Sequence, residues 1–444
     1  MNKRIAILGA GESGVGAAIL AKQQGFDTFV SDCSLISPHY KAELVDHDIL
    51  WEEGQHSENK ILNAHEVVKS PGIPNTVPII QKLIRRGTPV ISEIEFAARY
   101  TSAKMIAITG SNGKTTTTSL LHHLFVTAKK SVGLAGNIGL SLARQVASAK
   151  KDYYIIELSS FQLDNMYQFK AHIALLLNIT PDHLDRYNNS MEEYIRAKFR
   201  ITQNQTKSDF LIYGAEDPNI LSHIERENKG EAIKLSFGLK RESNFAYTTT
   251  QNLCIDSNPR IEIDRSTLHI KGEHNIYNAL AAISAAFLVD IDKDCLIKGL
   301  SSFKGVEHRL EYVSLVNGVK YINDSKATNV DSCWYALQSI ETKIVLILGG
   351  KDKGNDYTKI EEIIKSKCSG LVLLGKDNTI LLNFFSNYNI PIIETHSMND
   401  AVESASKLAK KGETVLLSPC CASFDLFNSY EHRGNLFKQA VKEL

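Results

Sequence analysis

The chain has 444 residues, too many for one ordinary hydrophobic core, and length alone predicts about two to four domains. Composition is that of a soluble globular protein, with 43% hydrophobic and 23% charged residues. Fifty basic side chains balance fifty acidic ones, which argues against nucleic acid or an anionic membrane as partner, since both are usually met by a basic surplus.

The N-terminus, "MNKRIAILGAGESG", has an apolar run too short for a signal peptide core and reads as a buried first strand. "VGAAILAKQQG" reads as a helix that stops at Gly25, and "DTFVSD" as a second strand. "EVVKSPGIP" is a strand ending in a Pro-Gly turn; "PVISEIEFAARY" adds a strand and a helix. The pattern restarts at "MIAITG", a strand, followed by a glycine loop and the helix "TTTTSLLHHLFVTAKK". "DYYIIELSS" and "IALLLNIT" are further strands, and "SMEEYIRAKFRI" reads as a helix with Ser190 and Glu193 forming a capping box. The long apolar helix "GEHNIYNALAAISAAFLV" closes this segment. A third segment opens near "SFKGVEHRLEYV" and holds the β runs "VKYINDSKATN", "KIVLILGGKDKG", "GLVLLG", "IIET" and "TVLLSPCCASFD". Strands alternating with helices predict parallel sheets, and three α/β domains with boundaries near 94 and 304. No window approaches the roughly 18 apolar residues of a membrane span. Seven scattered cysteines without C-x-x-C spacing fit a reducing cytoplasm better than a disulfide framework or a zinc site.

The sharpest motif is "GSNGKTT". A strand, a glycine turn and a helix start aim backbone N–H groups and the helix dipole at one point, which suits phosphate. Gly110, Ser111, Asn112 and Gly113 form the cradle, Lys114 adds charge, and Thr115 and Thr116 follow. The usual phosphate loop has its first glycine at the position of Ile108; here Gly110 comes two residues later. An ordinary turn has no need of a lysine at a helix start, where cations oppose the dipole.

Gly9-x-Gly11-x-x-Gly14 forms a second glycine motif, with Asp32 ending the next strand. It fits a dinucleotide, another diphosphate ligand, or simply a tight βα connection. Glu157, at the polar end of its strand, and His183 and Asp185, in "NITPDHLDRY", suit a metal-phosphate site; capping or pairing at the surface is the alternative. Lys198 falls on the apolar face made by Met191, Tyr194, Ile195 and Ile201. There a lysine either snorkels outward or meets a partner, and a buried one can become a nucleophile or a modified side chain. In the third segment Asp324, Lys326, Thr328 and Asn329, then Lys351 to Lys353, then Ser423 follow three different strands, the usual ligand edge of such sheets.

Taken in order, "GSNGKTT", "AGNIG", "ELSSFQL", "NITPDHLDRY", "YIRAKFRI", "GEHNIYNALAA", "EHRLE", "NDSKATN", "LGGKDKG" and "SPCCASFD…HRGNLF" resemble the Mur ligase family over essentially the whole chain. The late first glycine is that family's form of the loop. The resemblance implies three domains: a Rossmann-like one at 1–94 for a UDP substrate, a P-loop ATPase-like one at 95–304, and a second Rossmann-like one at 305–444 for an amino acid. It implies a cytoplasmic, monomeric ligase that consumes ATP to join D-glutamate to UDP-N-acetylmuramoyl-L-alanine through an acyl phosphate.

By the same resemblance, Lys114, His183 and Lys198 are catalytic. Thr115 and Glu157 hold one Mg²⁺, and His183 with a carbamylated Lys198 holds a second. Asn275, His308, Arg309, Asp324 and Lys326 join the loop in binding ATP. Gly11, Glu12, Ser13, Asp32, Ser70, Gly72 and Asn137 serve the UDP substrate, although Cys33-Ser34 follow Asp32 where the family often has Thr-Arg. Thr328, Lys353, Ser423, Phe424 and Tyr430 serve D-glutamate. The rival expectations are a sister ligase for another amino acid, a nucleotide switch that ligates nothing, and a nicotinamide oxidoreductase. The switch would leave the third segment's polar loops without a role, and the oxidoreductase would leave the phosphate loop unexplained.

Overall fold

The computed structural model describes residues 3–182, 184–227, 230–242, 244–352 and 354–444. Two compact units result, one of Met1–His269 with Ile276–Phe303, the other of Ile270–Asn275 with Lys304–Leu444. Among the described residues no helix is long and apolar enough to cross a membrane.

The first unit carries two sheets. One contains β1 (Arg4–Leu8), β2 (Asp27–Asp32), β3 (Leu50–Glu53), β4 (Glu66–Lys69) and β5 (Val90–Ile91), all parallel, in the order β3-β2-β1-β4-β5. Ile5 and Ile7 face one apolar cluster while Ala6 and Leu8 face another, so β1 is covered on both faces and reads as an unbroken apolar run. The strand order reverses between β1 and β4, which opens a crevice at their carboxyl ends.

The other sheet contains β6 (Lys104–Thr109), β7 (Val132–Gly136), β8 (Tyr153–Glu157), β9 (Ile173–Leu176), β10 (Phe210–Gly214), β11 (Ile233–Gly238), β12 (Ala246–Thr248), β13 (Asn252–Ile255) and β14 (Ile261–Asp264). Its order is β14-β13-β12-β11-β10-β9-β6-β8-β7. The expected parallel pairing ends at β12, because β13 and β14 are antiparallel. Their connections are too short for a crossover, so the chain can only fold back as hairpins. The helix Met191–Phe199 also departs from expectation in one detail. The Ser190 hydroxyl accepts the Glu193 N–H at 3.3 Å, but the Glu193 carboxylate accepts from Asn188 instead of from the Ser190 backbone. The reciprocal box forms at Ser159 and Gln162.

The second unit holds β15 (Glu311–Val316), β16 (Val319–Asn323), β17 (Ile344–Gly349), β18 (Cys368–Leu374), β19 (Ile392–Thr395) and β20 (Thr414–Cys420), ordered β15-β16-β20-β17-β18-β19. Within this sheet, only the β15–β16 pair is antiparallel among the described strands. Its two-residue Asn317-Gly318 turn has both φ positive, at 51° and 82°, the hairpin turn whose twist matches that of the strands.

Within the first unit, buried and half-buried carboxylates fasten the first sheet to the second. Glu95 accepts N–H groups of Tyr167, Gln168 and Phe169, and Glu12 accepts the Ser141 N–H at 3.0 Å and the Arg144 guanidinium at 2.9 Å. Glu93 accepts the Ala143 N–H at 2.5 Å. Burial pushes the Glu93 carboxyl from the ordinary 4.5 up to about 8, against the pull of that hydrogen bond. The folded protein therefore holds a proton that the unfolded chain releases, and stability is lost as pH rises from 4.5 towards 8. Glu93→Gln keeps an acceptor oxygen without the ionisation. Its stability relative to the wild type should rise across that window by about 1 kcal/mol per pH unit in urea titrations; parallel pH curves for the two proteins would contradict this.

Candidate active site

The glycine loop leaves β6 and enters the helix Lys114–Thr127. Gly113 caps that helix at φ 82°, and a Cβ there would meet the Asn278 side-chain oxygen at 2.3 Å, so only glycine fits. The loop is held from beneath by the chain that follows β9. Asn112 and Asn178 exchange hydrogen bonds, the Asn112 N–H donating at 2.8 Å and the Asn178 amide returning one at 3.0 Å. The Ser111 hydroxyl donates to the Thr180 carbonyl at 2.8 Å and accepts the Thr180 N–H at 2.9 Å, with the Tyr194 hydroxyl 3.2 Å away. Asn178, Thr180 and Asn278 were not singled out from sequence, and Tyr194 was read there only as part of an apolar helix face. All four lie in quoted motifs, but nothing in their spacing says that they meet this loop; Asn178 is 66 residues from Asn112 and Tyr194 is 83 from Ser111.

Two lysines converge on this loop. The Lys114 ammonium donates to the carbonyls of Gly110 and Ser111 at 2.8 and 2.9 Å. The Lys198 ammonium donates to the same Gly110 carbonyl at 2.8 Å and lies 4.6 Å from the Tyr194 ring centre. Lys198 is 2% exposed, so it does not snorkel. Burial, and then the Lys114 charge, drive its pKa well below the ordinary lysine value, while Asp182 opposes them. Thr115 and Thr116 are buried in the first turn of the helix.

Glu157 ends β8 one strand away from β6 and is 1% exposed. Its Oε1 accepts from the Asn137 amide at 2.9 Å, and the Asn137 N–H donates to the Glu157 carbonyl. Its Oε2 is buried with no hydrogen-bond partner among the described residues. A buried carboxylate oxygen without a donor is costly unless a cation meets it, so this residue fits a hard metal ion. Among the described residues no three His, Cys, Asp or Glu side chains come together as a metal cluster. His183, expected at the metal, lies outside the described residues, as does Lys353.

The first glycine turn sits at the reversal between β1 and β4. Asp32 accepts the Ala10 N–H at 2.7 Å and the Ser34 N–H at 2.8 Å, so its carboxylate braces the turn. A Cβ on Gly14 would lie 1.8 Å from the Gly9 carbonyl, which accounts for the third glycine as close helix–strand packing. Gly11 caps the helix Glu12–Gln23, which begins with Glu12 and Ser13. Ser70 bonds back to Leu8, and the Gly72 carbonyl accepts from Arg186 at 3.4 Å. Cys33, beside Asp32, is exposed.

In the second unit the loops after β16 and β20 meet. Asp324 is 1% exposed and accepts the Leu310 N–H and the Ser418 hydroxyl; burial raises its carboxyl to about 6 although Arg309 pulls the other way. His308, at φ 62°, bonds through Nδ1 to Asn323, and burial lowers its pKa. Lys326 donates to the Tyr430 hydroxyl at 3.0 Å with its ammonium 4.7 Å from that ring. Asn275 donates to the Lys271 carbonyl within its own turn. Thr328 bonds back to the Lys326 carbonyl. Ser423 is buried, whereas Phe424 is 70% exposed. Sequence reading missed Arg433, which is 1% exposed and ties the two loops together by donating to Ser325 O, Ser325 Oγ and Cys421 O. The available signal was an arginine on the same helical face as Gly434, Phe437, Ala440 and Val441, all of them buried.

Three family models match the chain: Mur ligase MurD-like, N-terminal domain, over residues 3–92; Mur ligase middle domain, over 108–286; and Mur ligase, glutamate ligase domain, over 308–421. The chain is 60% identical over 443 residues to the UDP-N-acetylmuramoylalanine–D-glutamate ligase of Bacteroides fragilis, covering 100% of both chains. It is 52% identical to the protein of that name from Porphyromonas gingivalis, covering 99% of this chain and 98% of the other. Among solved structures it is similar to the UDP-N-acetylmuramate-alanine ligase MurC of Thermotoga maritima, with TM-score 0.65, 18% identity and 100% of both chains covered. It is also similar to the MurF ligase of Thermotoga maritima in complex with ADP, with TM-score 0.61, 15% identity, and 94% and 95% of the two chains covered. Identities that low speak to fold alone; the domain matches and the full-length relatives go further, and the chain belongs to the Mur ligase family, with its three-domain α/β fold.

Proposed function

We propose that this chain is an ATP-dependent ligase that adds D-glutamate to UDP-N-acetylmuramoyl-L-alanine in peptidoglycan precursor synthesis, acting as a cytoplasmic monomer. The phosphate loop, with Lys114 and Lys198 on one carbonyl and Glu157 nearby, carries the phosphoryl-transfer part of the reading. The choice of D-glutamate rests on the name borne by full-length relatives at 60% identity. The proposed division of labour assigns residues 1–94 to the UDP substrate, 95–304 to ATP and 305–444 to the amino acid.

In this reading the substrate carboxylate attacks the γ-phosphate to give an acyl phosphate, and the D-glutamate amine then displaces phosphate. Two anions must be held together while charge moves between them, which calls for fixed cations in a site of low dielectric. Lys114 leaves its loop carbonyls for the γ-phosphate. Thr115 and Glu157 would hold Mg²⁺, which screens phosphate charge when bound. Burial and the Lys114 charge lower the Lys198 pKa, which favours the neutral amine, the form that adds CO₂ with loss of a proton. The resulting carbamate would be an anion beside Lys114 and a ligand, with His183, for a second Mg²⁺. Asn275, His308, Arg309, Asp324 and Lys326 are proposed for ATP, and Thr328, Lys353, Ser423, Phe424 and Tyr430 for D-glutamate. Gly11, Glu12, Ser13, Asp32, Ser70, Gly72 and Asn137 are proposed for the UDP substrate.

Phosphate release tests the reading directly. With ATP, Mg²⁺ and UDP-N-acetylmuramoyl-L-alanine, release should depend on D-glutamate within a panel of amino acids. Release with a different amino acid alone would make the chain a sister ligase, and none with a well-folded protein would end the ligase reading. Lys198→Ala should lose activity and recover part of it with short carboxylic acids; full activity without them would remove the carbamate. Lys114→Ala should abolish turnover while the UDP substrate still binds, measured by calorimetry.

A further inference from the structure

Lys69 ends β4, immediately before the Ser70–Ile73 turn that borders the crevice between β1 and β4. The turn is pinned at one end by the Ser70 N–H on the Leu8 carbonyl and closed by the Ile73 N–H on the Ser70 carbonyl. Lys69 is 3% exposed, and its ammonium donates to the Ile73 carbonyl at 2.6 Å and to the Ser70 carbonyl at 3.4 Å. From a separate element, Arg186 lies 4.5 Å over the Phe161 ring and donates to the Gly72 carbonyl at 3.4 Å. Three carbonyls of one short turn are thus drawn onto cations.

A lysine is a poor choice for packing alone, because burying an ammonium costs more than burying an apolar side chain of similar length. Among the described residues Lys69 makes no ion pair within 4.0 Å. Its charge therefore serves the turn. Two of these carbonyls precede prolines, Pro71 and Pro74, so their peptide units carry no N–H, and the Ile73 N–H is already bound within the turn; the two cations act by holding the shape of the turn and by making the potential of the crevice more positive. We infer that Lys69 is a positioning residue for the diphosphate of the nucleotide substrate, acting through the Ser70–Ile73 turn. This rests on the proposed placement of the UDP substrate at that crevice and adds a residue outside it.

The charge has a limited pH range. Burial, and then the Arg186 charge, lower the Lys69 pKa to about 8, and Asp164 opposes them. Asp164 itself accepts from the Tyr187 hydroxyl at 3.0 Å, feels Arg200, and is shifted upward by burial. With a pKa of about 8 the group is mostly ammonium at pH 7 and mostly neutral amine at pH 9, so the turn loses one of its two cations across that range.

Steady-state phosphate release at pH 7 to 9 tests the inference. Lys69→Met should raise KM for the UDP substrate about tenfold, with kcat and the KM values for ATP and D-glutamate within about twofold. Lys69→Gln, polar but uncharged, should give the same split. The wild-type KM for the UDP substrate should climb from pH 7 to 9, and that climb should be absent from both variants. An unchanged KM in either folded variant, a uniform loss across all three substrates, or a flat wild-type profile overturns the assignment. If the wild type shows no D-glutamate-dependent release, the functional reading fails instead. Calorimetric titration of the UDP substrate alone then still reports on Lys69: equal affinity for wild type and Lys69→Met overturns it, and a weaker variant supports it.

Discussion

One carbonyl oxygen, that of Gly110, takes hydrogen bonds from two lysines. Two ammonium groups on a single acceptor repel each other strongly where water is excluded, and Lys198 is almost wholly buried. The conflict has a small set of resolutions: one lysine sheds its proton, one is converted to an anion, or a phosphate arrives between them. Each favours a phosphate-handling site over an inert turn. The rest of the loop is built to keep this geometry, with Asn178 and Thr180 fixing Asn112 and Ser111 from below and Asn278 filling the space a side chain at Gly113 would need.

The second unit shows another economy of charge. Arg433 sits inside the fold without a carboxylate ion pair among the described residues and spends its donors on the backbone and hydroxyl of Ser325 and on the Cys421 carbonyl. Burial lowers its pKa to about 10, still well above neutrality, so it remains a cation. It thereby fixes the chain on both sides of the polar side chains at 324–328 and 423–430. Asp324 lies near that positive charge, as well as near Arg309, which offsets part of the cost of burying its carboxylate.

The parallel strands and the glycine loops were legible because their signals are local: short apolar runs closed by glycine, and a lysine where a helix begins. The strand Asp27–Asp32 coincides with the quoted "DTFVSD". What escaped were the hairpins at β12–β14, which have no strong turn dipeptide, and the loop supports. Asn178 and Asn112 are 66 residues apart, and Arg433 and Ser325 are 108 apart. Such partnerships arise from tertiary packing and leave no spacing to read. The Asn317-Gly318 turn, by contrast, carried a recognisable hairpin dipeptide that went unused. Lys198 was legible as an anomaly, a cation on an apolar face, but its partner was not. For Ser190 the N-cap was right and the reciprocal arm was lost to Asn188, because an exposed glutamate has several donors within reach.

Cys33 follows the strand-end Asp32 that braces the first glycine turn. Among the described cysteines it alone is exposed; Cys295 is half-buried and the other five are buried. Maleimides and related soft electrophiles need access to the sulfur, so accessibility directs them to this position first. The chain thus carries a built-in attachment point for a fluorophore or a tethered small molecule at the rim of its first crevice, with no engineered cysteine required.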